Sequence, residues 1–182
     1  MAGAIETLER LVGRLNAVLL VFCKALAVLL LTVMTIIIVA AVFYRYVLND
    51  AIAWSEEIAK FIMVWMAFIT APVGMKMGAH IAIEAIAGRL KGRIAWLLQA
   101  VIFVSVIALM AMFVKEGAFL TMNARIQRAS TIDLSIFYVY LSMPVGCAIM
   151  GMVAFEQFLN ALKGVFDPSR ATAMSSDPTI VN

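Results

Sequence analysis

The stretch WSEEIAKFIMVWMAFITAPVGMKM, residues 54–77, begins with charge and continues as an apolar run. Glu56 and Glu57 stand near its start, and residues 61–75 carry no charged side chain. A helix that spans the hydrocarbon of a bilayer needs about 20 predominantly apolar residues at a rise of about 1.5 Å each. The stretch therefore predicts a membrane-spanning helix over residues 56–77, and it raises the question of why two carboxylates begin it.

The composition extends this prediction to the whole chain. Of its 182 residues, 65% are hydrophobic and 14% are charged, and the mean hydropathy is +1.04. Soluble domains carry about 45–50% apolar and about 25% charged residues, so we expect an integral membrane protein in a lipid bilayer. The net charge of +3 is small. It indicates basic segments that flank the membrane, and it does not favour nucleic-acid binding.

Four apolar stretches are long enough to cross a membrane. They cover about residues 21–44, 56–77, 94–114 and 134–158. This pattern predicts an all-α integral membrane fold with four transmembrane helices. We expect one four-helix membrane domain over residues 1–166. Residues 167–182 are polar and contain Pro and Ser, which predicts a flexible cytoplasmic tail.

Two amphipathic segments accompany the spans. Apolar side chains recur at helical spacing between residues 5 and 15. This predicts an N-terminal amphipathic helix that either lies on the membrane surface or extends the first span. The segment between spans two and three has the same character, with Gly88 and Gly92 as breaks, and it predicts a short interfacial helix.

The distribution of Lys and Arg predicts the orientation. Nine of these residues flank the termini and the middle connection. Five flank the other two connections, namely Arg45, Lys60, Lys115, Arg125 and Arg128. Since cytoplasmic segments carry the excess of basic residues, we expect both termini in the cytoplasm and Lys115 in an outer loop.

The sequence lacks the residue sets of common active sites and cofactor sites. His80 is the only histidine, and Cys23 and Cys147 stand singly inside apolar runs. A haem site with two histidines, a zinc site and a catalytic triad therefore each lack ligands or a base. We expect that this chain is not an enzyme and holds no cofactor and no metal.

Charged residues inside the spans are the usual functional signal in membrane proteins. Lys24 and Glu156 are expected near the cytoplasmic ends of their spans, and Glu56, Glu57 and Lys60 near the outer end of span two. None of these is expected at mid-depth, where a self-contained ion-coupled carrier usually keeps its site. This pattern favours a chain that does not transport alone.

The glutamate pair also has a structural interpretation. Ser55 can cap the helix, the carboxylates complement the helix dipole, and Lys60 can pair with them at i+3 and i+4. An aromatic stripe that Glu57 borders continues along the helix, comprising Trp54, Phe61, Trp65 and Phe68, with Pro72 on the same side. The stripe either faces lipid or forms a packing seam against a partner helix.

Two blocks of the sequence resemble the small membrane subunit of TRAP transporters, the tripartite ATP-independent periplasmic transporters (DctQ-like). The first has an arginine, a Trp before a Glu pair, a second Trp, and a basic-Gly-x-His-Ile segment ending in an acid. Its residues are Arg45, Trp54, Glu56, Glu57, Trp65, Lys76, Gly78, His80, Ile81 and Glu84. The second block carries Tyr138, Val139, Tyr140, Pro144 and Gly146. The family usually has glycine where this chain has Thr70, and aspartate where it has Glu84.

The resemblance implies a function. In this family a periplasmic binding protein captures an organic acid, and a large membrane subunit carries the substrate and sodium sites and moves by an elevator motion. The small subunit is a four-helix scaffold in the bacterial inner membrane that supports the large subunit and helps to dock the binding protein. Two alternatives stay open from the residues: an autonomous proton-coupled exporter that uses Glu57, and a membrane anchor of a redox complex.

The stripe and the resemblance together give the candidate site residues. Candidates for a subunit interface or a docking surface are Arg45, Trp54, Glu57, Phe61, Trp65 and Phe68. A cytoplasmic turn after span two is expected at Lys76, Gly78, His80 and Glu84, with His80 held through Glu84 at i+4. Packing of the fourth span is expected at Tyr140, Pro144 and Gly146.

Overall fold

The chain folds as a helical bundle. The computed structural model describes residues 2–87 and 93–166, with side chains over residues 10–78 and 96–163. The helices are α1 (Ala2–Val47), α2 (Ser55–Ala87), α3 (Arg93–Asn123), the single turn α4 (Phe137–Tyr140) and α5 (Ser142–Phe166). A 3-10 turn, Ala124–Ile126, follows α3. Four helical segments are long and apolar enough to cross a membrane, and the described residues contain no β-strand. The all-α fold with four spans is therefore confirmed.

Local hydrogen bonds determine where α1 ends and where α2 begins, next to the glutamate pair. The α1 helix ends at a turn in which the amides of Leu48 and Asp50 both donate to the Tyr44 carbonyl at 3.2 Å. Asn49 completes that turn with φ 52°, a left-handed conformation that asparagine tolerates better than most residues. The Ser55 hydroxyl donates to the Ile52 carbonyl at 2.7 Å. Ser55 is the first residue of α2, and the hydrogen bond found for its hydroxyl is the one donated back to Ile52, so its side chain joins the helix start to the preceding turn.

The amphipathic segments continue the long helices. Residues 5–15 belong to α1 without a break, so they extend the first span. The predicted short interfacial helix is not separate from span two, because α2 runs without interruption to Ala87. No proline and no glycine stands between Gly78 and Gly88, so nothing in this segment breaks the helix. Residues 88–92 and the tail predicted over residues 167–182 lie outside the described part of the chain.

The third span is longer than the sequence predicted. Helix α3 passes the predicted end at residue 114 and continues to Asn123, so Lys115 lies inside the helix and not in an outer loop. The reason is packing. Gly117, the only glycine or proline between residues 115 and 123, lies against α5, where a Cβ atom would be 3.1 Å from Pro144 Cδ. Span four correspondingly begins at Phe137, three residues after its predicted start.

Helix α5 is central to the bundle. It packs most extensively against α3 and also contacts α2, while α1 packs along α2 and touches α5. Helices α2 and α5 approach closely at Gly146, where a Cβ atom would be 2.7 Å from the Phe68 carbonyl oxygen. We call the end of the bundle that carries residues 48–54 and 124–136 the loop end, and the opposite end the terminal end.

Candidate functional site

The first contact at the loop end joins α1 to α2. Arg45 Nη2 donates to Glu56 Oε1 at 2.5 Å, and both side chains are at least half exposed. The expected partner Lys60 makes no ion pair among the side chains that the structure describes. Glu56 therefore pairs across the helix connection, because Arg45 stands in the last turn of α1 and reaches the first turn of α2.

Glu57 contacts the other connection. Its Oε1 accepts the Ser130 amide at 2.8 Å, and its Oε2 accepts the Thr131 amide at 2.8 Å together with the Thr131 hydroxyl. Both carboxylate oxygens are thus engaged by the loop of residues 127–136. Since hydrogen bonds to a carboxylate are stronger than those to a neutral acceptor, Glu57 fixes this loop over the start of α2.

The loop itself is a tight turn with internal pairing. The Ala129 amide donates to the Leu134 carbonyl at 2.9 Å, and an ion pair joins Arg128 to Asp133. Below it, Trp65 Nε1 donates to the Tyr138 carbonyl at 3.0 Å. Two side chains of α2, Glu57 in its first turn and Trp65 about three turns from its start, therefore hold the segment that leads from α3 into α5.

The aromatic stripe faces the interior of the chain over most of its length. Pro72 is fully buried, Phe68 lies against Gly146, and Phe61 and Trp65 are partly covered. Trp54 is the exception and is exposed. Trp65 and Phe68 of the stripe therefore pack in part against α4 and α5 of the same chain.

An apolar groove of about 490 Å³ opens between α1, α2 and the loop. Its lining residues are Leu30, Ile58, Phe61, Ile62, Trp65, Ile132, Asp133, Leu134, Tyr138 and Val139. The loop that Glu57 contacts supplies one wall of the groove. The shape of the groove thus depends on the hydrogen bonds of Glu57.

The residues expected in fourth-span packing lie in different surroundings. Gly146 and Pro144 are at the crossings of α5 with α2 and α3. Tyr140 is exposed, so its ring is not part of these crossings. The cytoplasmic turn expected at Lys76, Gly78, His80 and Glu84 is not formed, because all four residues lie inside α2. Lys76 is partly buried, Gly78 has no atom within 4 Å of a Cβ position, and the side chains of His80 and Glu84 lie outside the described residues.

A polar cluster near the terminal end was missed by sequence reasoning. Lys76 Nζ donates to Glu156 Oε1 at 2.6 Å, and Asn16 Nδ2 donates to Glu156 Oε2 at 2.8 Å and to the Met152 carbonyl at 3.1 Å. Asn16 is 1% exposed and Glu156 is 8% exposed. Each residue was visible as a polar interruption of an apolar helix, but nothing in one sequence shows that three helices bring them together.

The geometry gives no sign of a catalytic or metal centre in the described residues. No group of three His, Cys, Asp or Glu side chains comes together there. Cys23 and Cys147 are buried free thiols. The carboxylates of Glu56, Glu57 and Glu156 each have a partner that joins two parts of the chain, which is the arrangement of a structural frame.

The sequence matches a known family over most of its length. The profile of the family described as "Tripartite ATP-independent periplasmic transporters, DctQ component" matches residues 34–164. The chain is 25% identical over 154 residues to the ectoine TRAP transporter small permease protein TeaB of Halomonas elongata, covering 84% of this chain and 76% of that protein. It is 26% identical over 132 residues to the sialic acid TRAP transporter small permease protein SiaQ of Vibrio cholerae, covering 71% and 75%.

A third relative is much longer than this chain. The isethionate TRAP transporter permease protein DctMQ of Oleidesulfovibrio alaskensis is 26% identical over 160 residues. The match covers 83% of this chain but only 25% of that protein. The chain thus spans a quarter of the length of this relative and about three quarters of TeaB and SiaQ.

Proposed function

The chain belongs to the DctQ component family of tripartite ATP-independent periplasmic transporters, and we propose that it is the scaffold subunit of a sodium-coupled importer of an organic acid. It is a multi-pass membrane protein and a transporter subunit, not an enzyme. In the proposed complex, a large membrane subunit carries substrate and sodium and moves against this chain. A periplasmic binding protein delivers the substrate.

The observation that carries the scaffold role is the number of polar contacts that join separate helices. Arg45 with Glu56, Glu57 with the 127–136 loop, and Lys76 with Glu156 each connect two elements of the bundle. An elevator movement in one subunit needs a fixed frame in the other. A bundle whose carboxylates are engaged in such contacts can supply that frame.

The same contacts argue against an autonomous exporter that uses Glu57. Such a carrier needs a carboxylate that is free to exchange protons with the transported ion near the membrane midplane. Glu57 lies in the first turn of α2, and both its oxygens accept hydrogen bonds from the loop. The redox-anchor alternative is disfavoured by the match of residues 34–164 to the DctQ component family.

We place the subunit in the bacterial inner membrane with both termini in the cytoplasm. The excess of Lys and Arg near the terminal end supports this orientation. The loop end would then face the periplasm, where exposed Trp54 and Arg45 are available to a docking protein. Phe61, Trp65 and Phe68 contribute indirectly, since they pack inside the chain.

Reconstitution tests the proposed function. The chain is co-expressed with a candidate large membrane subunit of the same transporter family, purified through a tag on this chain, and reconstituted in liposomes with a candidate binding protein. We expect a stable two-subunit complex and uptake that requires a sodium gradient and the binding protein. A chain that purifies alone, or that transports in liposomes without a large subunit, contradicts the proposal. The relatives are named for different substrates, so a panel of organic acids is needed.

A further inference from the structure

Two charged residues on α3 have no partner in the part of the chain that the structure describes. Lys115 and Glu116 are exposed, and neither takes part in the ion pairs or hydrogen bonds of the described residues. The face of α3 that packs on α5 contains buried Phe103, Gly117 and Thr121. At about 100° per residue, Lys115 and Glu116 both fall on the opposite side of the helix.

Packing fixes the depth of these two residues. Gly117 lies against Pro144, and Gly146, two residues further along α5, lies against Phe68 of α2. Phe68 is twelve residues from Glu56, which is about 18 Å along a helix, and eight residues from Lys76, which is about 12 Å. The charged pair is therefore level with the interior of span two, and not with either of its ends.

The surface around the pair is apolar in both directions along α3. Met112, Phe119 and Met122 are three, four and seven positions from Lys115, so they share its side of the helix, and all three are exposed. The helix continues for eight residues, about 12 Å, beyond Lys115 before it ends at Asn123. Hydrocarbon chains can solvate the methionines and the phenylalanine, but they cannot neutralise an ammonium or a carboxylate.

We propose that this outer face of α3 is covered in the membrane by a helix of the large membrane subunit. That helix presents a carboxylate to Lys115 and a hydrogen-bond donor or cation to Glu116. The inference rests on the proposed function, since it assigns a surface to the subunit contact. A long lysine side chain can extend toward the headgroups, but the shorter Glu116 cannot reach as far, so a protein partner explains both charges. The longer relative, in which this region is a quarter of one permease chain, is consistent with a membrane partner that is permanently adjacent.

Site-specific photocrosslinking tests the surface in a complex that keeps both native charges. A benzophenone amino acid replaces Phe119, and membranes that contain both subunits with different tags are irradiated. We expect an adduct that carries both tags. An adduct between two copies of this chain, or the absence of a protein adduct, overturns the proposal in favour of self-association or of lipid.

Charge substitution tests the chemistry of the contact. The double variant Lys115→Met with Glu116→Gln removes both charges without adding bulk. We expect the amount of large subunit that co-purifies with the chain to fall about tenfold, because its complementary groups are left unpaired. The matched control is Arg128→Gln, an exposed charge that pairs within this chain, and it should leave the recovery unchanged.

The outcomes separate this inference from the proposed function. If the wild-type chain does not capture the large subunit, the proposed function and the proposed α3 contact both fail. If the wild type captures it and the double variant captures it equally well, only the α3 surface is excluded. Because the photocrosslinking arm uses the native charges, it decides the question even if the double variant is poorly expressed.

Discussion

At the scale of single residues, the two adjacent glutamates have different partners. Glu56 pairs with the last turn of α1, while Glu57 accepts two backbone amides and a hydroxyl from a loop more than seventy positions away. Adjacent helical positions point about 100° apart, so two neighbours readily serve two partners. The pair therefore joins both connections at the loop end to the start of one helix.

Replacement of Glu57 by Gln should loosen the loop. A carboxamide keeps one acceptor oxygen and places an NH2 group against one of the two amide donors that the carboxylate accepted. We expect hydrogen exchange at the Ser130 and Thr131 amides to speed up by about tenfold. Exchange followed by mass spectrometry on the detergent-solubilised chain measures this. Glu56→Gln is the control and should leave the loop amides unchanged; equal rates in both variants would contradict the assignment.

Two glycines of the bundle should respond oppositely to the same substitution. Gly146→Ala places a Cβ atom 2.7 Å from the Phe68 carbonyl oxygen, so α2 and α5 must separate. We expect a loss of about 1–3 kcal/mol in stability. Gly74→Ala meets no atom within 4 Å and should stabilise the helix by about 0.5–1 kcal/mol. Thermal unfolding in detergent compares the two variants. A Tm that falls equally in both would refute the close contact of α2 and α5 at Gly146.

At the scale of helices, Lys76, Asn16 and Glu156 join three elements at one point. The Glu156 carboxylate of α5 accepts from Lys76 of α2 and from Asn16 of α1. This contact lies near the terminal end, while the Glu57 contacts lie at the loop end. The two sets restrain α2 at both ends, which limits both its tilt and its translation relative to α5.

Removal of Lys76 should therefore be costly. In Lys76→Met the buried Glu156 loses its ionic partner, and we expect about 1–3 kcal/mol of destabilisation, less than for a fully buried pair because the Lys76 side chain is 25% exposed. The double variant Lys76→Met with Glu156→Leu should recover most of this loss, since an apolar pair carries no unpaired charge. Unfolding in detergent compares the wild type, Lys76→Met, Glu156→Leu and the double variant. A loss in the double variant equal to the sum of the two single losses would show that the two residues do not interact.

The sequence predicted the helices better than their contacts. The apolar runs located all four spans because hydrocarbon thickness sets their length. The end of α3 was misplaced because Lys115 and Glu116 look like a membrane boundary, whereas the packing of Gly117 on Pro144 continues the helix. The partners of Glu57 could not be predicted, since backbone amides of a distant loop leave no signal in the identity of residues.

At the scale of the whole molecule, the even number of spans leaves two possible orientations in the membrane. Four crossings would place the start of α1 and the end of α5 on one side of the membrane and both connections of the loop end on the other. Nine Lys and Arg residues flank the termini and the middle connection, and four flank the loop end once Lys115 is counted inside α3. This excess favours the cytoplasm for the termini. Labelling one accessible residue at the loop end and one near a terminus is therefore enough to decide the topology.

Cysteine labelling in intact cells tests this choice. In a background with Cys23→Ala and Cys147→Ala, Gln127→Cys introduces a thiol at an exposed position of the loop. We expect a membrane-impermeant maleimide to label it in intact cells. Ser169→Cys in the C-terminal segment should react only after the membrane is permeabilised. The reverse pattern would invert the topology. It would also move the 127–136 loop and the exposed Trp54 away from the periplasm, so a binding protein could not dock on them.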